Sequence, residues 1–206
     1  MLDDSQIIFT LTRWYLASFF TAVAIFYTLR ILYLKRSSNL QMVFPGERFC
    51  STWWNHIAFR FFRVIIWFIC LLRCFSPNVD QALFPIPTLQ NPLVISSGLI
   101  FLTLGFLATI SIHIRFCFEW RSGIDPRGPE SIMTEGIYRY SRNPMFIGVA
   151  ISQLGFFLAL PSVFSLVCLL VGITALYRQT LSEEAHLSIT FPITYSQYCQ
   201  QVPRWL

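Results

Sequence analysis

The chain has 206 residues, of which 55% are hydrophobic, 17% aromatic and only 12% charged, with a formal net charge of +5. That is too little polar surface to clothe a soluble globule of this size, so composition excludes the soluble classes and points to a polytopic membrane protein. The positive charge calls for no nucleic acid, because membrane topology and anionic headgroups account for it.

A bilayer core about 30 Å thick needs roughly 20 apolar helical residues per crossing, which gives room for four to six crossings. The first predicted span runs from Trp14 to Leu34, with Arg30 able to extend toward the headgroups and Lys35 and Arg36 closing it. Asp3 and Asp4 stand where a signal peptide would carry positive charge, so this helix is expected to stay in the mature protein. A turn at Pro45-Gly46 leads to Trp53–Phe75, whose Arg60, Arg63 and Arg73 leave only a short uncharged centre; an in-plane interfacial helix is one reading. Charge distribution favours a crossing. If the segment spans, Lys35, Arg36, Arg48, Arg115, Arg121, Arg127, Arg139, Arg142, Arg178 and Arg204 share one side, as the positive-inside rule requires of the cytosol.

The third span is Leu93–Ile114, followed by a polar segment from Arg115 to Pro144 that is punctuated by glycine and proline. Connections this long in compact proteins are uncommon and often functional. The run from Met145 to Tyr177 carries no charge and would be about 50 Å long as one straight helix, too long for a single crossing. Pro161 divides it into arms of roughly 24 Å, which suits a hairpin that returns Arg178, Glu183 and Glu184 to the face of Arg139 and Arg142. The expectation is an all-α, polytopic integral membrane helix bundle. It has about five transmembrane helices, the N-terminus outside, a C-terminal helical hairpin and a cytosolic tail. It forms one integral domain, 1–206, with an N-terminal three-span part, 1–114, and a cofactor-binding part, 115–206.

The six cysteines, Cys50, Cys70, Cys74, Cys117, Cys168 and Cys199, are scattered and read as packing residues, so no disulfide framework and no metal site are expected. His56 and His113 fall near helix ends and read as interfacial, while His186 is a weaker candidate for cofactor contact. Arg115, Arg121 and Arg127 read as topology determinants.

Chemistry concentrates in two cytosolic stretches. Gly136, Tyr138, Arg142-Asn143-Pro144, Phe146 and Gly148 mark the entrance to the hairpin, and Glu183-Glu184, Leu187, Phe191, Tyr195, Tyr198 and Val202-Pro203-Arg204 follow it. This ordered set, from about Trp120 to the C-terminus, resembles the isoprenylcysteine carboxyl methyltransferase family and its phospholipid methyltransferase relatives. The resemblance implies a cytosolic S-adenosylmethionine site and a lipophilic or amphiphilic methyl acceptor with a carboxylate, thiol or amine head group. It implies that Glu130, Ser131, Ile132, Met133 and Tyr138 line the cofactor, that Arg142, Asn143, Pro144 and Met145 hold it at the helix entrance, and that Glu183, opposite Arg142, takes its amine or ribose hydroxyls. The enzyme would sit in the inner membrane of a bacterium or the endoplasmic reticulum of a eukaryote.

Methyl transfer to an anionic acceptor needs in-line positioning more than acid–base chemistry. Arg204 and Arg178 are therefore candidate catalytic residues that orient such an acceptor, and Glu184 is the candidate proton acceptor should the nucleophile be an amine. The sequence departs from the family pattern at Asn143, where a histidine is usual, and at Phe146, where an aromatic hydroxyl is usual. It departs again at Pro192, where glycine is common, and at Gln179, where an arginine is usual. Two other readings stay open: a nicotinamide-dependent reductase on a similar scaffold, and a noncatalytic membrane protein. The carboxylate pair favours a cofactor carrying an amine over one carrying several phosphates.

Overall fold

The computed structural model describes residues 4–38, 43–116, 122–123, 129 and 131–206. Cys117, Trp120, Arg121, Arg127 and Glu130 lie outside them. Seven α-helices form within the described residues, with two short 3-10 turns and a single pair of two-residue strands.

Helix α1, Asp4–Ser38, extends beyond the predicted Trp14–Leu34 at both ends. Three of its threonines are satisfied within the helix, since the hydroxyls of Thr12, Thr21 and Thr28 donate to the carbonyls of Ile8, Ala17 and Ala24, each at 2.7 Å. That local bonding lets a polar side chain sit in an apolar medium without an unmet donor. Gly46, at φ +83°, turns the chain toward α2, Ser51–Phe75, in a conformation that favours glycine. Cys50 caps α2 by accepting from the Trp53 amide at 3.4 Å.

The end of α2 is tied by charge. Asp80, on the four-residue helix α3, Val79–Ala82, receives Arg13 of α1 at 2.8 Å and Arg73 of α2. Arg73 is almost fully buried, and its presence there depends on this carboxylate. Nearby, Ile86 N–H donates to Pro161 carbonyl at 3.0 Å and Val163 N–H to Phe84 carbonyl at 2.9 Å. The turn carrying Pro161 therefore meets the segment that follows α3.

Helix α4, Pro92–Phe116, and α5, Pro144–Ala159, make the tightest pair. Small residues on both let the backbones touch: a Cβ at Gly155 would lie 2.1 Å from Leu102 N, and one at Gly98 would lie 2.2 Å from Ala159 N. Further along, a Cβ at Gly148 would meet Thr109 Oγ1 at 2.7 Å, so the two helices run antiparallel. Helix α6, Val163–Thr190, begins with a capping box in which Ser162 and Ser165 satisfy each other's backbone amides. Pro192 starts α7, Pro192–Gln201, after a break at Phe191.

Three helices are long and apolar enough to cross a membrane, namely Ile7–Tyr33, Pro92–Arg115 and Val163–Thr190, and α5 is a shorter apolar helix. Helix α2, at 25 residues, is not among them. At the end opposite Asp80, Val43–Phe44 (β1) pairs in parallel with Ser122–Gly123 (β2), and Arg178 of α6 donates to the Ser51 hydroxyl at the start of α2 at 2.9 Å.

Candidate functional site

The site is built where α5 begins. Pro144 occupies the first turn of α5, where its missing N–H costs nothing. Asn143 holds the N-cap position but does not cap with its side chain. Its Nδ2 instead donates to Glu184 Oε1 and to the Arg204 carbonyl, each at 3.1 Å. Ser141 Oγ accepts from the Asn143 amide at 3.1 Å and donates to the Arg204 carbonyl at 3.3 Å, while the Arg142 amide donates to the Pro203 carbonyl at 3.0 Å. The C-terminal tail is thus pinned across the start of α5.

Glu184 is the centre of charge. It is buried on α6 beside buried Thr180, and it receives Arg204 through Nε at 3.0 Å and Nη2 at 2.8 Å, with Arg142 Nη1 at 3.7 Å. A carboxylate gripped by a two-pronged guanidinium and an amide is held in one orientation. The bond to Glu184 raises Arg204 above the ordinary arginine range. Arg142 also donates to Cys199 Sγ at 2.5 Å and to the Tyr195 hydroxyl at 3.4 Å, and its carbon lies 6.0 Å from the Tyr195 ring centroid.

The carboxylate that Arg142 approaches is Glu184, the neighbour of Glu183. One residue along a helix turns a side chain by about 100°, so the two carboxylates face different neighbours. Glu183 accepts from Gln179 Nε2 at 2.9 Å, one turn back, and lines a cavity of about 370 Å³ together with Met145. The rest of that cavity is walled mainly by apolar side chains of α1, α2, α4, α5 and α6.

Burial first, and then the Glu183 charge, push the Tyr138 hydroxyl pKa up. Burial likewise pushes Tyr198 up to about 12, and it raises Tyr195, with the Glu184 charge adding to the shift. These phenols stay protonated at any physiological pH, so they donate hydrogen bonds and offer ring faces but do not take protons. Tyr198 uses its proton on the Tyr138 carbonyl at 2.7 Å. Tyr195, Tyr198 and Val202 form a buried cluster against which Ile132 packs.

Of the residues singled out from the sequence, Arg142, Asn143, Glu184 and Arg204 meet in one network, with Pro144 at its base. Met145 and Glu183 both line the cavity, and Ile132 and Tyr138 meet α7 instead, Ile132 by packing on its tyrosines and Tyr138 through its carbonyl. Met133 is half-buried and Ser131 exposed. Arg178 stands apart on another face of α6, where it bonds Ser51, and Glu130 lies outside the described residues. Ser141 and Cys199 carry contacts that no motif flagged; Cys199 follows Tyr195 by four residues, the spacing of one helix face, and that was the available signal. His186 lies on α6, and its buried Nε2 finds no partner among the described residues.

The site has capacity to spare. Among the described residues, Arg142 Nε and Gln179 Oε1 are buried without a hydrogen-bond partner, and Glu183 has only Gln179. A buried donor, a buried acceptor and an undersupplied carboxylate fit a ligand that carries both acid and amine groups. Residues 93–193 match the family model described as phospholipid methyltransferase. The match begins at α4, ahead of the Trp120 start read from the motifs, and ends before Tyr195, Tyr198 and Arg204. No curated protein and no solved structure matches the chain.

Proposed function

Because residues 93–193 belong to the phospholipid methyltransferase family, whose members are membrane methyltransferases, we propose that the protein is an S-adenosylmethionine-dependent integral membrane methyltransferase acting on a lipophilic or amphiphilic acceptor. The observation that carries this reading is the pairing of a fixed charge network, Asn143–Glu184–Arg204, with a largely apolar cavity at whose wall Glu183 stands.

The cofactor, when bound, supplies a methyl group on a positively charged sulfur. Arg142 would grip its carboxylate through the unused Nε, Glu183 would take its amine or hydroxyls, and the ring of Tyr138 would offer a face to its cation. Ser131, Ile132, Met133, Asn143, Pro144 and Met145 would complete its surroundings, with Glu130 joining them. Asn143 cannot titrate, so its part is to hold Glu184 and the tail in register. Arg204, half-buried and already set by Glu184, orients the acceptor, and water is kept out by the tail that lies across the site. Positioning of this kind supplies most of the rate in a displacement that needs little proton transfer.

We read the chain as one integral unit, 1–206, with five crossings. Helices α2 and α5 join the three long apolar ones, α5 and α6 form the C-terminal hairpin, and the site and tail face the cytosol. The acceptor enters from the lipid, because α5 at 16 residues is about 24 Å long and falls short of the hydrocarbon thickness. The test is calorimetry of the purified protein. S-adenosylmethionine is expected to bind and a nicotinamide dinucleotide to show no heat; binding of the dinucleotide alone would replace this reading with the reductase.

A further inference from the structure

Helix α2 lies wholly outside the segment that carries the family match, yet one of its faces lines the cavity. That face presents Arg60 and Arg63, three residues apart, with His56 one turn before them. Among the described residues neither arginine has a carboxylate partner, whereas Arg13 and Arg73 share Asp80, and Arg142 and Arg204 share Glu184. Arg63 instead lies 5.0 Å from the centroid of the Tyr27 ring. Among the described residues the one carboxylate on the cavity wall, Glu183, belongs to α6 and accepts from Gln179. Two cations against one carboxylate leave the polar end of the cavity with net positive charge.

The other end is apolar, walled by Phe19, Phe20, Ile66, Leu102 and Phe156. Both arginines are exposed, so an anionic group can reach them at the edge of the cavity, and two guanidinium groups three residues apart on one helix match the several oxygens of a phosphate or carboxylate. Topology alone would be served by Lys35 and Arg36 at the end of α1 and does not require cations on the cavity face. We propose that Arg60 and Arg63 anchor the anionic group, phosphate or carboxylate, of an amphiphile whose chain fills the apolar end of the cavity, and that they thereby select the acceptor. The word acceptor rests on the methyltransferase reading; the anion site does not.

The experiment uses the full-length protein in nonionic detergent and measures equilibrium binding of dodecyl phosphate, dodecanoate, an uncharged dodecyl glycol ether and inorganic phosphate. S-adenosylmethionine binding is measured in parallel. The two anionic amphiphiles are expected to bind at least tenfold more tightly than the ether, and inorganic phosphate at least tenfold more weakly than dodecyl phosphate. An Arg60→Gln/Arg63→Gln double variant should lose the preference for charge and keep both its affinity for the ether and its S-adenosylmethionine binding. Equal binding of charged and uncharged amphiphiles by the unaltered protein overturns the proposal, and that comparison needs no variant to fold. It is equally overturned if the double variant keeps the preference, or if inorganic phosphate binds as well as dodecyl phosphate. Charge preference without S-adenosylmethionine binding would sink the methyltransferase reading and leave the anion site standing.

Discussion

Two adjacent glutamates do different work because a helix turns between them. Glu184 is committed: Arg204, Asn143 and Arg142 converge on it, so its removal leaves two arginines without their carboxylate in a half-buried place. Glu183 is available, with a single glutamine for company. Glu183→Gln is therefore expected to leave the thermal midpoint close to that of the parent and to weaken S-adenosylmethionine binding by about 1.5–3 kcal/mol, the value of a charge-assisted hydrogen bond. In affinity that is on the order of ten- to a hundredfold. Glu184→Gln should do the reverse, lowering the midpoint first. Calorimetry and thermal unfolding on the same two preparations separate the roles, and equal cofactor affinity in folded Glu183→Gln protein would remove Glu183 from the pocket. Arg204→Ala, which takes away the group proposed to orient the acceptor, should lower turnover more than it lowers cofactor affinity.

At the scale of elements, the contact between α4 and α5 sets where the site sits, since α5 carries Asn143 and Met145 at its start. That contact has no slack. With Leu102 N only 2.1 Å from where a Cβ at Gly155 would be, and the obstruction being backbone, Gly155→Ala forces the helices apart. The expected result is a loss of about 2 kcal/mol or more in stability together with weaker cofactor binding, since the start of α5 moves with the helix. Gly172→Ala is the control, because its obstruction is the flexible side chain of Gln153; it should cost much less. Comparable midpoints for the two variants in detergent would show that α4 and α5 are not so tightly joined. The helices themselves were legible from hydropathy, and the turn at Pro161 from its place in the middle of an uncharged run. The pairing of Asn143 with Glu184 was not, because it joins positions 41 residues apart and depends on which of two consecutive glutamates faces inward. The share of α1 and α2 in the cavity was also hidden. Phenylalanine and isoleucine at helical spacing look the same whether they face lipid or line a tunnel.

For the whole molecule, the contacts sort the elements to two ends. Arg13, Arg73, Asp80, Phe84, Ile86, Pro161 and Val163 meet at one end. The strand pair β1–β2, the Arg178–Ser51 bond and the Asn143–Glu184–Arg204 network lie at the other, together with the ends of α1, α4 and α6. Such a division is what five crossings with a cytosolic site would produce, and it makes the doubtful α2 the decisive element. If α2 crosses, Asp80 lies on the outer side with the Pro161 turn; if it lies in the membrane plane, Asp80 stays near the face that holds the tail. A reporter inserted beside Asp80 and another fused after Leu206 distinguish the two. Opposite sides are expected, with the C-terminus in the cytosol, because that arrangement alone gathers Lys35, Arg36, Arg48, Arg139, Arg142, Arg178 and Arg204 on the cytosolic face. Insertion can break the Arg13–Asp80–Arg73 contact, so the same question should be put to single cysteines at Asn78 and Gln201 in a cysteine-free background, probed with an impermeant thiol reagent in intact cells. Labelling of position 78 and protection of position 201 supports the five-span arrangement; protection of both, or labelling of both, overturns it.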